Sequence, residues 1–466
     1  MDVAPEAPRR RLRQALRLAV AAAYSAGMLA AATPALAQGL PLVRDTEIEN
    51  LLRDYSRPIF RAAELGSQNI AVRIIKHDSF NAFVVDGRNV YMNTGTLVTA
   101  KTPNEVIGVL AHETGHIKGG HMADLRSRVA RDATKNMLLM LLGIGVIAAG
   151  AASGGDAGRE ITGAGTGVLM GGSEIVTRSF LSRRREQESA ADQAGLLYLE
   201  RSKQSGMGML ETFERFAQQE YVSDTYQDPF MRSHPVATDR LARLRERVMQ
   251  SPYVNSKDAP DLQLRHNMMR AKIAGYIDRP GAVLNAYPTR DTSLPARYAR
   301  AIARNCSGRC TDALGEVDAL IRDKPENPYF WELKGNILQS SGKNAEAVAP
   351  LRKALQLLPN EPLIMTALAQ AMLAVDDASQ IEAAIELLRK SIVLDDSYST
   401  SHHQLAKAFY KKEKFPQADL AAANAHFAEG NLPQAKIFAK RAMAKLPRGS
   451  PEWIRAEDIA NYKAPT

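Results

Sequence analysis

The apolar residues between positions 102 and 120 recur with the period of an α-helix. They are Val106, Ile107, Val109, Leu110 and Ile117. Thr102 is a favourable N-cap, Pro103 is a favourable first helical residue, and Gly119-Gly120 interrupts the apolar pattern. The sequence therefore predicts an apolar helix that begins near residue 103 and ends before the two glycines.

A second helix is predicted around residues 186–199. This segment begins with residues of high helix propensity and continues into the apolar run Leu196-Leu197-Tyr198-Leu199. The residues between Glu188 and Asp192 are small. This helix can therefore approach a neighbouring helix closely.

The apolar pattern changes after about residue 255 and predicts consecutive pairs of helices. Pro328 and Pro362 are 34 residues apart, which is the length of a tetratricopeptide repeat. Helix pairs are expected to close at Leu358-Pro359, Leu394-Asp395 and Leu446-Pro447. We predict about four repeats, the first near Pro295, and such arrays present a groove to a partner. The alternative is a helical domain that only braces the rest of the chain.

Residues 137–152 form a run of sixteen residues without a charge. A membrane-spanning helix needs about twenty residues. Residues 143–172 contain eleven glycines, which disfavour a single rigid helix. Three interpretations are open: a buried hairpin of helices, a mobile or membrane-contacting loop, and a true membrane span.

Residues 1–37 have the pattern of a secretory signal peptide. Five arginines precede an apolar, alanine-rich stretch, and Ala35-Leu36-Ala37 is a cleavage site of the A-x-A type. An uncleaved anchor helix is the alternative. Removal of these residues lowers the net charge from +9 to about +6. The remaining basic residues form no long runs, so we expect an exported protein that does not bind nucleic acid.

The two cysteines lie close together, at Cys306 and Cys310. In an exported protein this spacing favours a local disulfide between them. The closed loop would be short, so its entropic contribution to stability is small. No other cysteine is present to bind a metal ion.

The pentapeptide His112-Glu113-Thr114-Gly115-His116 lies within the first predicted helix. Residues four apart share a helix face, so His112 and His116 can bind one metal ion. Glu113 can then act as a general base beside that ion. This HExxH pattern predicts metal-dependent hydrolysis of a peptide bond. The alternative is two histidines on an ordinary core helix.

A third metal ligand is expected, because catalytic zinc usually has three protein ligands. Glu188 and Asp192 share a face of the second predicted helix. Glu188 can bind the ion, and Asp192 can accept a hydrogen bond from a ligand histidine. The alternative is a charged face exposed to solvent.

Together these segments resemble the gluzincin peptidases of the CAAX prenyl protease and HtpX-like group. Besides HExxH and the later ExxAD pattern, two elements are similar to that family. Asn81-Ala82-Phe83 and Tyr91-Met92-Asn93 resemble its strand pair, and Ser233-His234-Pro235 followed by Arg240 resembles its HP…R element. The resemblance covers roughly residues 45–250.

This resemblance implies one zinc ion per chain, bound by His112, His116 and Glu188, with Glu113 as the base. His234 has two open roles: it donates to the oxyanion, or it binds the metal as a fourth ligand in a latent state. Arg240 is expected to stabilise the site through charge-assisted hydrogen bonds. The alternative for His234 is an ordinary loop histidine before a proline, and the alternative for Arg240 is a surface arginine.

We therefore expect an α+β zincin-type metallopeptidase domain followed by an all-α superhelix of tetratricopeptide repeats. The predicted division is a signal peptide at residues 1–37, a peptidase domain at 38–254 and a repeat domain at 255–466. The strand at Asn81-Ala82-Phe83 is expected to bind substrate by strand addition.

The expected function is that of a periplasmic zinc metalloendopeptidase that degrades misfolded or stalled envelope proteins. The chain resembles periplasmic β-barrel assembly-enhancing proteases, in which this domain is fused to helical repeats. That implies unfolded or stalled outer-membrane β-barrel proteins as clients, docking on the assembly machinery through the repeats, and peripheral membrane contact. One alternative is an assembly chaperone or adaptor with a largely structural or latent metal site. Another is a membrane-embedded peptidase.

Overall fold

The computed structural model describes residues 41–125, 127, 182–217, 234, 238–375 and 377–464. The predicted signal peptide and the apolar segment at residues 137–152 lie outside these residues, as do the two neighbours of His234. Within the described part of the chain, no helix is both long and apolar enough to span a membrane. Residues Leu42–Leu394 form one compact unit, and the chain from Asp395 onward forms a second.

The first unit begins with a short strand and a long amphipathic helix. Strand β1 is Leu42–Val43 and helix α1 is Thr46–Ala62. Asp45 is the N-cap of α1, and its side chain accepts a hydrogen bond from the backbone N–H of Ile48 at 3.0 Å. The buried face of α1 includes Leu51, Leu52, Tyr55 and Ile59.

A four-stranded mixed sheet follows α1. Its further strands are β2 (Ala71–Ile75), β3 (Ala82–Asp86) and β4 (Asn89–Asn93), in the order β1-β2-β4-β3. Strand β2 is parallel to β4, whereas β3 is antiparallel to β4. The resemblance predicted this strand pair, and β3 is an edge strand of the sheet.

Helix α2 (Thr94–Thr99) leads into helix α3 (Pro103–Lys118), which contains the HExxH sequence. Thr102 is its N-cap, and the Thr102 hydroxyl accepts from the backbone N–H of Glu105 at 3.3 Å. The predicted bounds of this helix are confirmed. All residues from 105 to 116 are buried, so α3 is the central helix of this part of the fold.

Three further helices pack near α3. Helix α4 covers residues 182–201, helix α5 is Met207–Ala217, and helix α6 is Thr238–Gln250. The core contains apolar side chains from the sheet and from all of these helices. The N-terminal part of the chain is therefore an α+β domain, as expected.

The remaining described residues form helices, and within each of the two units successive helices pack against one another. In the first unit they are α7 (Pro260–Ile277), α8 (Pro280–Ala286), α9 (Leu294–Cys306), α10 (Cys310–Asp323), α11 (Pro328–Ser340), α12 (Asn344–Leu357), α13 (Pro362–Ala374) and α14 (Ser379–Leu394). In the second unit they are α15 (Ser399–Lys411), α16 (Phe415–Ala428), α17 (Leu432–Met443) and α18 (Pro451–Asn461). The all-α, repeat-like character of this region is confirmed.

The 34-residue spacing predicted where two of the repeats begin. Pro328 is the first residue of α11, and Pro362 is the first residue of α13. In both helices the proline lies in the first turn, where its missing N–H costs no hydrogen bond. The predicted domain limits at residues 37 and 254 stay predictions.

The two cysteines lie on either side of one turn between helices. Cys306 is the last residue of α9 and Cys310 is the first residue of α10. Both are free thiols in the structure, and the Cys310 thiol lies 3.6 Å from the side-chain oxygen of Asn305. The structure therefore does not contain the expected disulfide, which stays a prediction.

His266 joins helix α7 to the α+β part of the fold. Its imidazole is buried; Nδ1 accepts from the Tyr55 hydroxyl at 3.0 Å, and Nε2–H donates to the carbonyl of Ala100 at 2.9 Å. Because a carbonyl can only accept, Nε2 carries a proton, and in the neutral ring Nδ1 is then the acceptor for the Tyr55 hydroxyl. Burial lowers the pKa of His266 to about 4, against a smaller opposing effect of the bond to Ala100.

We expect this histidine to make the protein less stable in mild acid. Between pH 6.5 and 4 the unfolded chain binds a proton at this residue and the folded chain does not, so stability falls as pH decreases. The full effect is about 3 kcal/mol at 1.36 kcal/mol per pKa unit. Urea unfolding followed by circular dichroism at pH 7 and pH 4.5 should show a smaller loss for His266→Gln than for the wild type. His77→Gln, at an exposed site, is the control; an equal loss in all three proteins would contradict the assignment.

Candidate metal centre

Helix α3 brings the two histidines of the HExxH sequence together on one buried face. His112 and His116 are both buried, and their Nε2 atoms are 3.1 Å apart. The two rings are edge to face, with centroids 4.8 Å apart. Both side chains therefore direct a nitrogen at the same point, as the spacing of four residues predicts.

Helix α4 places Glu188 against this histidine pair. The two carboxylate oxygens of Glu188 lie 3.4 Å from Nε2 of His112 and 3.4 Å from Nε2 of His116. The Glu188 side chain is only 5% exposed, so it does not belong to a solvated charged face. Burial acts to raise the pKa of Glu188, but the nearby histidines outweigh it and hold that pKa well below its usual range.

Asp192 lies behind His112, one helical turn after Glu188. Its Oδ1 atom accepts from Nδ1 of His112 at 3.0 Å, which leaves Nε2 directed at the centre of the cluster. Burial acts to lower the pKa of His112, but the hydrogen bonds to Asp192 and Glu188 outweigh it and raise the pKa to about 9. This contact fixes the orientation of the ring, which is the role that the sequence predicted for Asp192.

Arg240 on helix α6 is buried and joins the two carboxylates. Its Nη2 donates to Asp192 Oδ1 at 2.8 Å, its Nη1 lies 3.2 Å from Glu188 Oε2, and its Nε contacts Asp192 Oδ2. Burial acts to raise the pKa of Asp192, but the hydrogen bond from Arg240 outweighs it and lowers that pKa. Arg240 is thus part of the site, and the alternative of a surface arginine does not hold for this side chain.

His234 is buried and faces the cluster from the segment before α6. Its Nδ1 lies 3.2 Å from His112 Nε2 and 3.1 Å from Glu188 Oε2. Its Nε2 lies 3.3 Å from the carbonyl oxygen of Ala82 and 3.4 Å from Glu113 Oε1. One nitrogen therefore faces the metal-binding atoms and the other faces the general base. This position is compatible with both roles that the resemblance left open.

Glu113 is buried beside the cluster. Its Oε1 atom has no hydrogen-bond partner among the described residues, although it lies within charge-contact distance of His234. Burial raises the pKa of the Glu113 carboxyl group. A buried oxygen without a partner is costly in a protein core, and this one lies next to the candidate metal ligands.

The edge strand β3 begins at the border of the site. Asn81 precedes β3, and Ala82 and Phe83 are its first two residues. The carbonyl of Ala82 contacts His234, so the predicted substrate strand lies next to the predicted catalytic groups. The Phe83 ring stacks on Tyr91 of β4 at 5.5 Å.

Two neighbours of the cluster are not among the predicted site residues. Nδ1 of His121 lies 2.9 Å from Nδ1 of His116, so His121 supports the second histidine of the motif. The ring of Phe213 on α5 lies 5.4 Å from the His112 ring and 5.2 Å from the guanidinium of Arg240. No periodicity points to Phe213, because it reaches the site through the packing of α5 on α3.

Gly115 permits the close contact between α3 and α4. A Cβ atom at this position would lie 2.7 Å from the carbonyl oxygen of Ala191 and 2.9 Å from its Cα. At Gly195, one turn further along α4, a Cβ atom would lie 3.1 Å from the backbone of Ala111. The two helix backbones therefore touch, and this contact brings Glu188 within reach of the histidines.

Four side chains can hold a divalent metal ion. Ligand atoms of His112, His116, Glu188 and His234 all lie within 4.8 Å of one another, and all four residues are buried. Imidazole nitrogens with one carboxylate are a donor set typical of catalytic zinc. The bonds of His112 to Asp192 and of His116 to His121 supply the outer partners that such ligands require. The residues present fit a metal ion.

The fold and the site define a metallopeptidase. Residues 43–248 match the family described as "Peptidase family M48", and this range includes both metal-binding helices. Over most of its length the chain is also similar to β-barrel assembly-enhancing proteases. It is 25% identical to the one from Yersinia pestis across 82% of this chain and 76% of that protein. It is 23% identical to the one from Escherichia coli (strain K12) across 89% of this chain and 82% of that protein.

A shorter relative matches a smaller share of the chain. Metalloprotease LoiP from Escherichia coli (strain K12) is 26% identical over 40% of this chain and 65% of its own length. The similarity to the assembly-enhancing proteases therefore extends further along this chain than the similarity to LoiP.

Gly115→Ala should impair metal binding and proteolysis without unfolding the protein. The new Cβ would push α4 away from α3, because the atoms it meets belong to the backbone and cannot rotate aside. A displacement of about 1 Å can lower a catalytic rate on the order of 100-fold. The measurements are metal content after dialysis and the rate of cleavage of denatured casein.

The matched control is Gly315→Ala in helix α10, where no atom lies within 4 Å of the added Cβ. It should retain wild-type metal content and activity. Full activity in Gly115→Ala would show that the contact between α3 and α4 does not position the site.

Proposed function

We propose that this protein is a periplasmic zinc metalloendopeptidase that degrades misfolded or stalled envelope proteins and assists the assembly of outer-membrane β-barrel proteins. One observation carries the proposal. His112, His116 and Glu188 converge next to Glu113, whose buried Oε1 atom has no hydrogen-bond partner among the described residues. The names of the relatives support the part that concerns β-barrel assembly.

In this proposal His112, His116 and Glu188 hold one zinc ion per chain. Bound zinc supplies a Lewis acid that activates water and polarises a peptide carbonyl. The donor set favours zinc over magnesium or calcium, because those ions prefer oxygen ligands. Asp192 keeps His112 in the orientation that presents Nε2, and Arg240 contacts both buried carboxylates and offsets part of their negative charge.

Glu113 is the general base. Its raised pKa, which results from burial, brings the carboxylate closer to the basicity needed to accept a proton from the attacking water. The same carboxyl group then passes the proton to the nitrogen of the departing amine. The Oε1 atom of Glu113 can accept this proton, since it has no hydrogen-bond donor among the described residues.

The substrate lies along strand β3 as an added strand. Among the described strands, β3 is at the edge of the sheet and lies beside the site, which is where strand addition occurs. Recognition through the backbone tolerates many side chains, which suits a protease that acts on unfolded chains. Asn81, Ala82 and Phe83 are the part of this strand nearest to the catalytic groups.

The cellular setting follows from the sequence and the relatives. Residues 1–37 are proposed as a cleaved signal peptide that directs the chain to the periplasm, with possible contact to the outer membrane. The helical repeats are proposed to dock on the machinery that assembles outer-membrane β-barrels. A disulfide between Cys306 and Cys310 would suit the same oxidising compartment.

A second candidate function has one observation in its favour. Nδ1 of His234 lies as close to Glu188 as the nitrogens of the two motif histidines do. As a fourth ligand, His234 would keep the enzyme latent, and the protein would then act largely as an assembly chaperone or adaptor. In the active alternative, His234 and Arg240 stabilise the oxyanion.

Glu113→Gln should abolish proteolysis and leave the fold and the bound metal unchanged. The amide cannot accept the proton, and loss of a general base costs at least about 100-fold in rate. The measurements are degradation of denatured casein, zinc content and circular dichroism.

Glu186→Gln is the matched control, since Glu186 is exposed on the surface of α4. It should degrade casein at the wild-type rate. Unchanged degradation by Glu113→Gln would exclude the proteolytic function proposed for this site. The same variant, expressed in the envelope, would retain bound clients for identification.

His234→Ala tests the latent state. If His234 fills a ligand position, its removal should raise the rate of casein degradation severalfold while zinc stays bound to the other three ligands. His77→Ala at an exposed site is the control. Disappearance of activity would instead assign His234 to the oxyanion and reject latency.

A further inference from the structure

A second cluster of metal-binding side chains lies in the C-terminal unit. His403 is on helix α15, His426 is in the last turn of helix α16, and Glu429 is the C-cap residue of α16. One ligand atom from each residue lies within 4.8 Å of the others. The cluster is on the surface, where His403 and Glu429 are exposed and His426 is partly buried.

Glu429 lies between the two histidines. Nε2–H of His403 donates to Glu429 Oε1 at 2.7 Å, and Nδ1–H of His426 donates to Glu429 Oε2 at 3.2 Å. The two imidazole rings are edge to face, with centroids 5.5 Å apart. The three potential metal ligands thus face one point. They come from helix α15, from the last turn of helix α16 and from the C-cap residue of α16.

The position of His426 is further defined by packing. Its ring stacks on Phe438 of α17, with centroids 5.4 Å apart and an angle of 25° between the planes. An aromatic partner limits the rotation of the ring, so one of the three donors is preorganised. The end of α16 also favours a cation, because the last carbonyl groups of a helix carry a partial negative charge.

The donor types select the ion. Two imidazole nitrogens and one carboxylate oxygen suit zinc and its neighbours in the first transition series, whereas calcium and magnesium prefer oxygen. In a tetrahedral zinc site, adjacent ligand atoms are about 3.3 Å apart. The two contacts to Glu429, at 2.7 and 3.2 Å, are near this value. All three ligand atoms lie within 4.8 Å of one another, and exposed side chains can rotate to bring them to the spacing that a bound ion requires.

We propose that His403, His426 and Glu429 form a second site for a divalent transition-metal ion, which joins helix α15 to the end of helix α16. The ion replaces the two protons that now lie between the histidines and Glu429, and the other nitrogen of each ring carries the proton. Solvent fills the remaining coordination positions. The site is exchangeable, because it is exposed and offers only three protein ligands.

Such a site makes the rigidity of the C-terminal unit depend on the metal supply. A bound ion fixes three side chains that otherwise form only surface ion pairs, which contribute little to stability. Binding to the folded state alone stabilises that state in proportion to the logarithm of the metal concentration. This inference does not depend on proteolysis at the first site.

The experiment is a zinc titration of the full-length protein against a chromogenic chelator. Two equivalents are expected in the wild type, the second being the weaker. His403→Asn and Glu429→Gln should each lose the weaker equivalent and retain the tighter one. The affinity for zinc at the second site should fall by more than roughly tenfold. Roughly tenfold is the effect of losing a residue that is only hydrogen-bonded to a metal ligand.

Hydrogen exchange measured by mass spectrometry locates the bound ion. Zinc should slow amide exchange severalfold in α15 and at the end of α16 in the wild type and not in the two variants. Asp458→Asn, at an exposed carboxylate of α18, is the matched control and should behave as the wild type. The proposal is overturned if the variants bind as many equivalents as the wild type, or if zinc leaves exchange in these helices of the wild type unchanged.

Discussion

The backbone contact between α3 and α4 is the constraint on which the metal centre depends. His112 and His116 lie on one helix and Glu188 and Asp192 on the other, so the distance between the two axes sets the distances from Glu188 to the two histidines. Gly115 and Gly195 permit that distance, because each removes a side chain where the other backbone passes. Hydrophobic packing alone would hold the helices further apart, since interaxial distances depend on the side chains at the contact.

The close approach of α3 and α4 buries two carboxylates, and Arg240 stabilises them. Glu188 and Asp192 are buried side by side, and two buried carboxylates without partners would be strongly destabilising. The planar guanidinium contacts both, while the edge of the imidazole of His112 satisfies Asp192 from the other side. The cluster is therefore stable as a set, and removal of one charged member leaves the others buried without compensation.

Much of this arrangement was predictable because it is local in sequence. A spacing of four residues places His112 with His116, and Glu188 with Asp192, whatever surrounds the helices. The spacing of Pro328 and Pro362 likewise predicted where two helices begin. Contacts between distant segments gave no such signal: Phe213 reaches His112 only through tertiary packing, and His121 lies beyond the glycine pair that ends the predicted helix. The placement of His234 came from resemblance rather than from pattern.

The contact of α7 with the α+β part has a consequence for how the chain can be divided. Met269 and Ile273 of α7 belong to the same apolar core as α1 and α3, and His266 binds both Tyr55 and Ala100. A fragment that stopped at residue 254 would expose that core and leave a buried hydroxyl and a buried carbonyl without partners. The first helix after the predicted boundary is thus a structural part of the protease. Any exchange of repeat arrays between such proteins would have to keep α7 with the catalytic half.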